Sequence, residues 1–133
     1  MRLTKRYRFS AAHRLDLASL TAGENQRLFG KCNNPYGHGH DYTVDITVEG
    51  SPDRSGQLVN RAALDAFVKQ TILDRLDHKD LNRDVPELSG KVPTTENLAA
   101  AVRDSLASGW NLPARLARIR ISETDRNIFE LEA

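Results

Sequence analysis

The sequence predicts an α+β fold, an antiparallel four-stranded sheet with two helices on one face in the order ββααββ. Three observations carry this. Residues 3–11 and about 40–49 alternate apolar and polar side chains with the period of two that a half-buried strand requires. Asn60 to Asp77 repeats its apolar residues at helical spacing, and a second capped helical stretch is followed by two more alternating segments. No repeat, low-complexity segment or linker divides the chain, so residues 1–133 read as a single domain with one core.

From Leu3 to Ala11 the odd positions are Leu, Lys, Tyr, Phe and Ala, and the same parity brings His13 out on that face. Residues 14–31 read as a polar connection containing Thr21, Gly23, Asn25 and Gly30, long enough to serve an active site. In the second strand Tyr42, Val44, Ile46 and Val48 share a face that continues outward to His40 and His38. The segment from Gly50 to Gly56 reads as a turn into a short third strand at Leu58-Val59. Asn60 then caps a helix through Leu64, Phe67, Val68, Ile72, Leu73 and Leu76 that ends near Asp77. Beyond an irregular stretch with Pro86, Gly90 and Pro93, Thr94 or Thr95 caps a second helix carrying Leu98, Val102 and Leu106 and ending by Gly109. Final strands fit Ala117 to Ser122 and Ile128 to Leu131. Ala117, Ile119, Ile121 and Glu123 share one face, which puts a carboxylate where a core ends and a pocket begins.

Hydrophobic content of 39%, charged content of 28% and a net charge of +1 are globular values, and they argue against a disordered chain or a charge-driven nucleic-acid partner. One cysteine in a polar neighbourhood makes no intrachain disulfide, so a reducing, cytoplasmic setting is expected. The first residues lack an apolar signal core, and no apolar run approaches the ~18 residues of a membrane span.

The chemistry concentrates in Cys32-Asn-Asn-Pro-Tyr-Gly-His38-Gly-His40. His-x-His in an extended segment projects both rings from one face, and His13 on a neighbouring strand has compatible parity. Three imidazoles with a fourth position open suit a catalytic zinc, although such sites accept several first-row metals and a pair of solvated histidines is the plainer reading of His-x-His alone. Cys32 is either a fourth ligand closing a structural site or a free nucleophile or base, because the five residues before His38 can loop the thiol either way. Asp77-His78 fits a carboxylate-imidazole pair, or simply a helix C-terminus with a cation in the dipole. Thr94-Thr95-Glu96-Asn97 is first a helix start, and Glu123-Thr-Asp125-Arg-Asn127 first a hairpin.

In one order the chain carries Phe9-Ser-Ala-Ala-His13-Arg-Leu, the Cys32 to His40 run, Leu76-Asp77-His78-Lys, Thr94-Thr95-Glu96-Asn97 and Ser122-Glu123-Thr-Asp125. Together these resemble the 6-pyruvoyltetrahydropterin synthase family, which also holds 6-carboxytetrahydropterin synthase. The resemblance implies a T-fold unit whose sheets join edge to edge into a barrel, with two trimers stacked as a homohexamer and active sites between subunits. It implies Zn2+ on His13, His38 and His40, Cys32 as catalytic base, Asp77 and His78 as proton relay, and Glu123 gripping a pterin with Thr95 and Glu96 as further contacts. The implied reaction converts 7,8-dihydroneopterin triphosphate to 6-pyruvoyltetrahydropterin with loss of triphosphate. The alternatives are 6-carboxytetrahydropterin synthase of queuosine biosynthesis, which releases acetaldehyde, and side-chain cleavage for folate synthesis, against which Cys32 counts. A non-catalytic zinc- or pterin-binding module, with Cys32 closing the metal site, belongs to a different class. Tyr36 and Asp41 stand where the family pattern favours Asn or another small polar residue. Arg14, Arg27 and Lys31 are triphosphate candidates by their proximity to the motif.

Overall fold

In the computed structural model, which describes residues 1–133, the strands β1 (Arg2–His13), β2 (His38–Glu49), β3 (Lys79–Asp80), β4 (Arg115–Ser122) and β5 (Ile128–Glu132) form one sheet in the order β3-β1-β2-β4-β5. β1, β2, β4 and β5 are the expected antiparallel strands, each longer than its hydrophobic alternation suggested. β3 is a fifth strand, pairing parallel to β1 at Ala11 and Ala12. Two charged residues carry no periodicity, so only the anchoring of the chain beside β1 reveals this strand.

No strand forms at Leu58-Val59. The Asp53 side chain takes the backbone donors of Ser55 and Gln57 in a tight turn, and Val59 is buried in the core as part of an irregular segment. The expected polar connection contains α1 (Ala22–Phe29), opened by a capping box in which the Thr21 hydroxyl accepts from Glu24 N and the Glu24 carboxylate accepts from Thr21 N. Asn60 caps α2 (Arg61–Val68), which runs through a π-helical turn at Lys69–Leu73 into the short α3 (Asp74–Leu76). A strict α-helix rotates residues four apart by about 40° per step, and the wider turn offsets that drift so that Val68, Ile72 and Leu76 all stay buried. Thr94 caps α4 (Thr95–Gly109), its hydroxyl accepting from Asn97 N at 3.3 Å. None of these helices is long and apolar enough to cross a membrane.

The helices cover one face of the sheet. There Phe9, Ala11, Tyr42, Val44, Ile46, Val48, Ile119 and Ile121 pack against Leu64, Val68, Ile72, Leu98, Val102 and Leu106 in one core. The opposite face is polar. Arg6 makes a two-pronged pair with Asp45 at 2.8 and 3.0 Å, Thr4 bonds Thr47, and Ser10 donates to Asp41. Register fixes what lies at the far end of the inner face: Phe9 opposes Tyr42, Ala11 opposes His40, and His13 opposes His38.

Candidate active site

Strand pairing alone brings three functional side chains together. His13 and His40 point to the covered face at the end of the apolar row, and Ser122 pairs with Thr43, so Glu123, one residue on, comes alongside Tyr42. Glu123 N donates to Asn127 O at 3.1 Å and holds that turn.

Cys32 arrives by a built connection. Its 3-10 turn, Gly30–Asn33, follows α1 directly, and Cys32 O accepts from Leu15 N at 2.7 Å. Two buried asparagines hold the surrounding loop: Asn25 bonds Leu17 N and O, and Asn33 Nδ2 donates to Leu15 O at 2.7 Å. The turn into β2 is fixed by Asn34, whose side chain accepts from Tyr36 N and whose carbonyl accepts from Gly37 N. Gly37 has φ +85, and a Cβ there would sit 3.4 Å from His13 O, so glycine lets the turn pass beside the end of β1.

His40 Nε2 lies 3.2 Å from His13 Nε2, 3.8 Å from Cys32 Sγ and 3.1 Å from Glu123 Oε1, and one donor atom from each residue falls within 4.8 Å of all the others. His13 Nδ1 is 2.9 Å from Pro93 O. A carbonyl only accepts, so Nδ1 carries the proton and Nε2 presents its lone pair to the cluster. Burial lowers the pKa of both His13 and His40, and the neighbouring imidazoles add to this while Glu123 opposes it. Both rings are therefore held toward the neutral, metal-binding form. Two imidazole nitrogens, a carboxylate and a thiol converging in this way fit a zinc-like cation. Burial and the Glu123 charge push the Cys32 thiol up.

Other sequence-predicted residues lie at graded distances from this centre. The His38 ring packs edge-on to that of His40 with centroids 4.6 Å apart, beside the four converging groups rather than among them. Asp77 Oδ1 accepts from Ser10 N at 2.9 Å, and His78 N donates to Ser10 O at 2.6 Å. His78 adopts a left-handed φ of 59°. Its ring is 82% exposed, 3.6 Å from Asp77, and lines a cleft of about 530 Å³ together with His40. Thr95 is buried with its hydroxyl near that of Tyr42, whereas Glu96 is exposed on the first turn of α4. Arg14 lines a second cleft, about 470 Å³, with His13, Tyr36 and Arg83. Tyr36 is exposed and Asp41 bonds Ser10 on the open face, so neither departure from the family pattern disturbs the cluster.

Sequence reasoning missed the Pro93 carbonyl and the asparagines that seat Cys32. For the last there was a signal, since Thr21-Ala-Gly-Glu24 is a capping-box pattern that marks α1.

The profile of the 6-pyruvoyl tetrahydropterin synthase family matches residues 2–133. The chain belongs to that family. The 6-pyruvoyl tetrahydrobiopterin synthase of Poecilia reticulata is 47% identical over 128 residues, 95% of this chain and 86% of its own length. The solved structure of Caenorhabditis elegans 6-pyruvoyl tetrahydropterin synthase superposes with a TM-score of 0.90 at 36% identity, covering 100% of this chain and 95% of the other. A 6-carboxy-5,6,7,8-tetrahydropterin synthase of Bacillus subtilis is 37% identical over 109 residues, 78% of this chain and 64% of its own. Family membership agrees with the observed fold: the antiparallel sheet with helices on one face is the T-fold unit.

Proposed function

We propose that this chain is a lyase that converts 7,8-dihydroneopterin triphosphate to 6-pyruvoyltetrahydropterin with elimination of triphosphate. The convergence of His13, Cys32, His40 and Glu123 within 4.8 Å, at the open end of an otherwise apolar face, carries this reading. The extent of the match to 6-pyruvoyl synthases favours it over the 6-carboxy reaction.

His13 and His40, with His38 beside them, would hold a zinc ion. When bound, it supplies Lewis acidity that eases removal of side-chain protons and positive charge that favours the Cys32 thiolate. Cys32 Sγ, half-buried and fixed through Leu15, accepts a proton from a substrate carbon. His78, oriented by Asp77 at the cleft mouth, handles a second proton at its exposed ring. The Glu123 carboxylate offers two acceptors to the adjacent N–H groups of a pterin, with Thr95 and Glu96 from the start of α4 as further contacts. Arg14, beside the His13 cleft, is the best placed of the basic residues for the triphosphate.

A homohexamer with sites between subunits is part of the proposal. β5 ends the sheet, and β1 has only β2 beside it until β3 joins at Ala11, so two strand edges stand free for pairing with other copies. The chain is taken to work in the cytoplasm, where its single thiol stays reduced.

The test is incubation of the zinc-loaded protein with 7,8-dihydroneopterin triphosphate without oxygen, with products identified by mass. A 6-pyruvoyl product without aldehyde is expected. Formation of 6-carboxytetrahydropterin with acetaldehyde would assign the chain to the queuosine-type reaction instead, and no turnover with zinc retained would leave a binding module.

A further inference from the structure

The starts of α1 and α4 share a capping threonine and differ three residues on. In α1 the Glu24 carboxylate turns back to accept from Thr21 N at 3.0 Å, which completes the box. In α4 the corresponding residue is Asn97. Its Nδ2 donates at 2.7 Å to Val92 O, outside the helix, and Thr94 N donates to the same carbonyl at 2.8 Å. A carbonyl only accepts, so the Asn97 amide presents its nitrogen there. A glutamate at 97 would suit the helix better, by propensity and by its charge at the N-terminus, but it has no donor for Val92 O. The chain forgoes the stronger helix start and keeps a hold on the residue before Pro93.

That hold reaches the candidate metal site in two steps. The bond from Thr94 N to Val92 O closes a three-residue turn around Pro93, whose ring fixes φ at about −65°. With φ set by the ring and ψ by that bond, the Pro93 carbonyl has one direction relative to Val92 O. It faces His13 Nδ1, 2.9 Å away, on a fully buried ring. Residues 89–93 belong to no helix or strand. The Asn97 bond ties this loop to α4, which the next two residues, Leu98 and Ala99, bury in the core. We propose that Asn97 is a positioning residue for the metal site: through Val92 O it sets the Pro93 carbonyl, which holds the His13 ring with Nε2 toward His40 and Glu123. The inference rests on the metal-holding role of His13 proposed above and extends the site to a side chain that bonds none of the four converging groups.

The experiment compares wild type with Asn97→Asp, Asn97→Gln and Val102→Ala. Zinc affinity is measured by competition with a chromophoric chelator, ligand geometry by the visible spectrum of the Co2+-substituted protein, and stability by the Tm of the metal-free protein. Aspartate keeps the size of the side chain and favours a helix N-terminus, but it has no donor for Val92 O. Asn97→Asp is expected to weaken zinc binding about tenfold, the low end of what losing support behind a ligand costs, and to shift the Co2+ bands. Its Tm falls less than that of Val102→Ala. Asn97→Gln keeps an amide donor and recovers most of the affinity. Val102→Ala removes buried bulk from the same helix and lowers Tm, yet keeps wild-type zinc affinity and Co2+ spectrum. Wild-type affinity and an unchanged Co2+ spectrum in Asn97→Asp overturn the proposal. So does equal weakening of zinc in Val102→Ala, because affinity would then follow stability, and so does failure of Asn97→Asp to fold, which would make the bond part of the scaffold. If the wild type itself holds no zinc, the metal reading falls too; if it holds zinc and Asn97→Asp matches it, this inference alone fails.

Discussion

The middle and the end of the covered sheet face lie on the same strands, but the end opens onto a cleft and the two are built for different purposes. In the middle, Val44, Ile46, Val48 and Ile119 are wholly buried, carry no polar side-chain atoms and meet only other hydrophobic groups. At the end, His13, His40 and Tyr42 occupy the same alternating positions, yet His13 and the partly buried His40 turn ring nitrogens toward Cys32 and Glu123 rather than toward other hydrophobic groups. Burial in the middle supplies stability, whereas the partial burial at the end holds a donor set of imidazole, thiol and carboxylate that fits a cation. Binding chemistry here is thus a continuation of the core pattern with its side chains exchanged.

Substitutions at the two places should separate these roles. The largest effect is expected at the end: His40→Ala should abolish zinc retention, measured as metal per chain after dialysis, and turnover with it, whereas His78→Ala should keep full zinc. Metal loss in His78→Ala instead would reverse the assigned roles. Next comes Cys32→Ala, expected to keep its zinc while losing roughly 10²- to 10⁴-fold in kcat, the usual worth of a positioned acid-base group. Loss of metal and Tm together would make the thiol a structural ligand. In the middle, Ile46→Ala should cost about 2–5 kcal/mol in denaturant unfolding, through lost burial and a cavity, without lowering the zinc bound by the folded fraction. If its zinc fell in step with stability, the two regions would not be separable.

The smallest effect lies outside both. Lys5 and Tyr7 bond the Asp65 carboxylate, at 2.6 and 2.7 Å, and hold its pKa below the usual range. A carboxylate depressed in the folded state stabilises above its unfolded pKa of about 3.9, and loses that contribution as pH falls through the folded value. Asp65→Asn should therefore lower Tm slightly at neutral pH, by an amount within the ~1 kcal/mol of a partly exposed pair, and the gap from wild type should close on acidification toward pH 2. A gap that widened there would contradict the pairing.

Strand alternation made β1, β2, β4 and β5 legible, and parity alone put His13, His40 and Glu123 on one face, because register in a half-buried sheet leaves no freedom of side. What stayed hidden depended on contacts distant in sequence. β3 exists because His78 N–H reaches Ser10, and the Pro93 carbonyl fixes the His13 tautomer from 80 residues away. The T-fold and the assignment of chemical roles were legible only through the co-occurring motifs; spacing left Cys32 open between ligand and base.

Ser10 is bonded on its outer side by Asp77 and His78, and Ala12 O by Leu81 N, so this part of the β1 edge is already occupied by the chain's own helix end and β3. Outward-facing backbone groups repeat every second residue, which leaves Thr4, Arg6 and Arg8 to meet an incoming strand. Asp77 thus acts as a doorstop: any strand added along this edge would have to halt before Ser10, at a point set by where the helix ending at Leu76 stops.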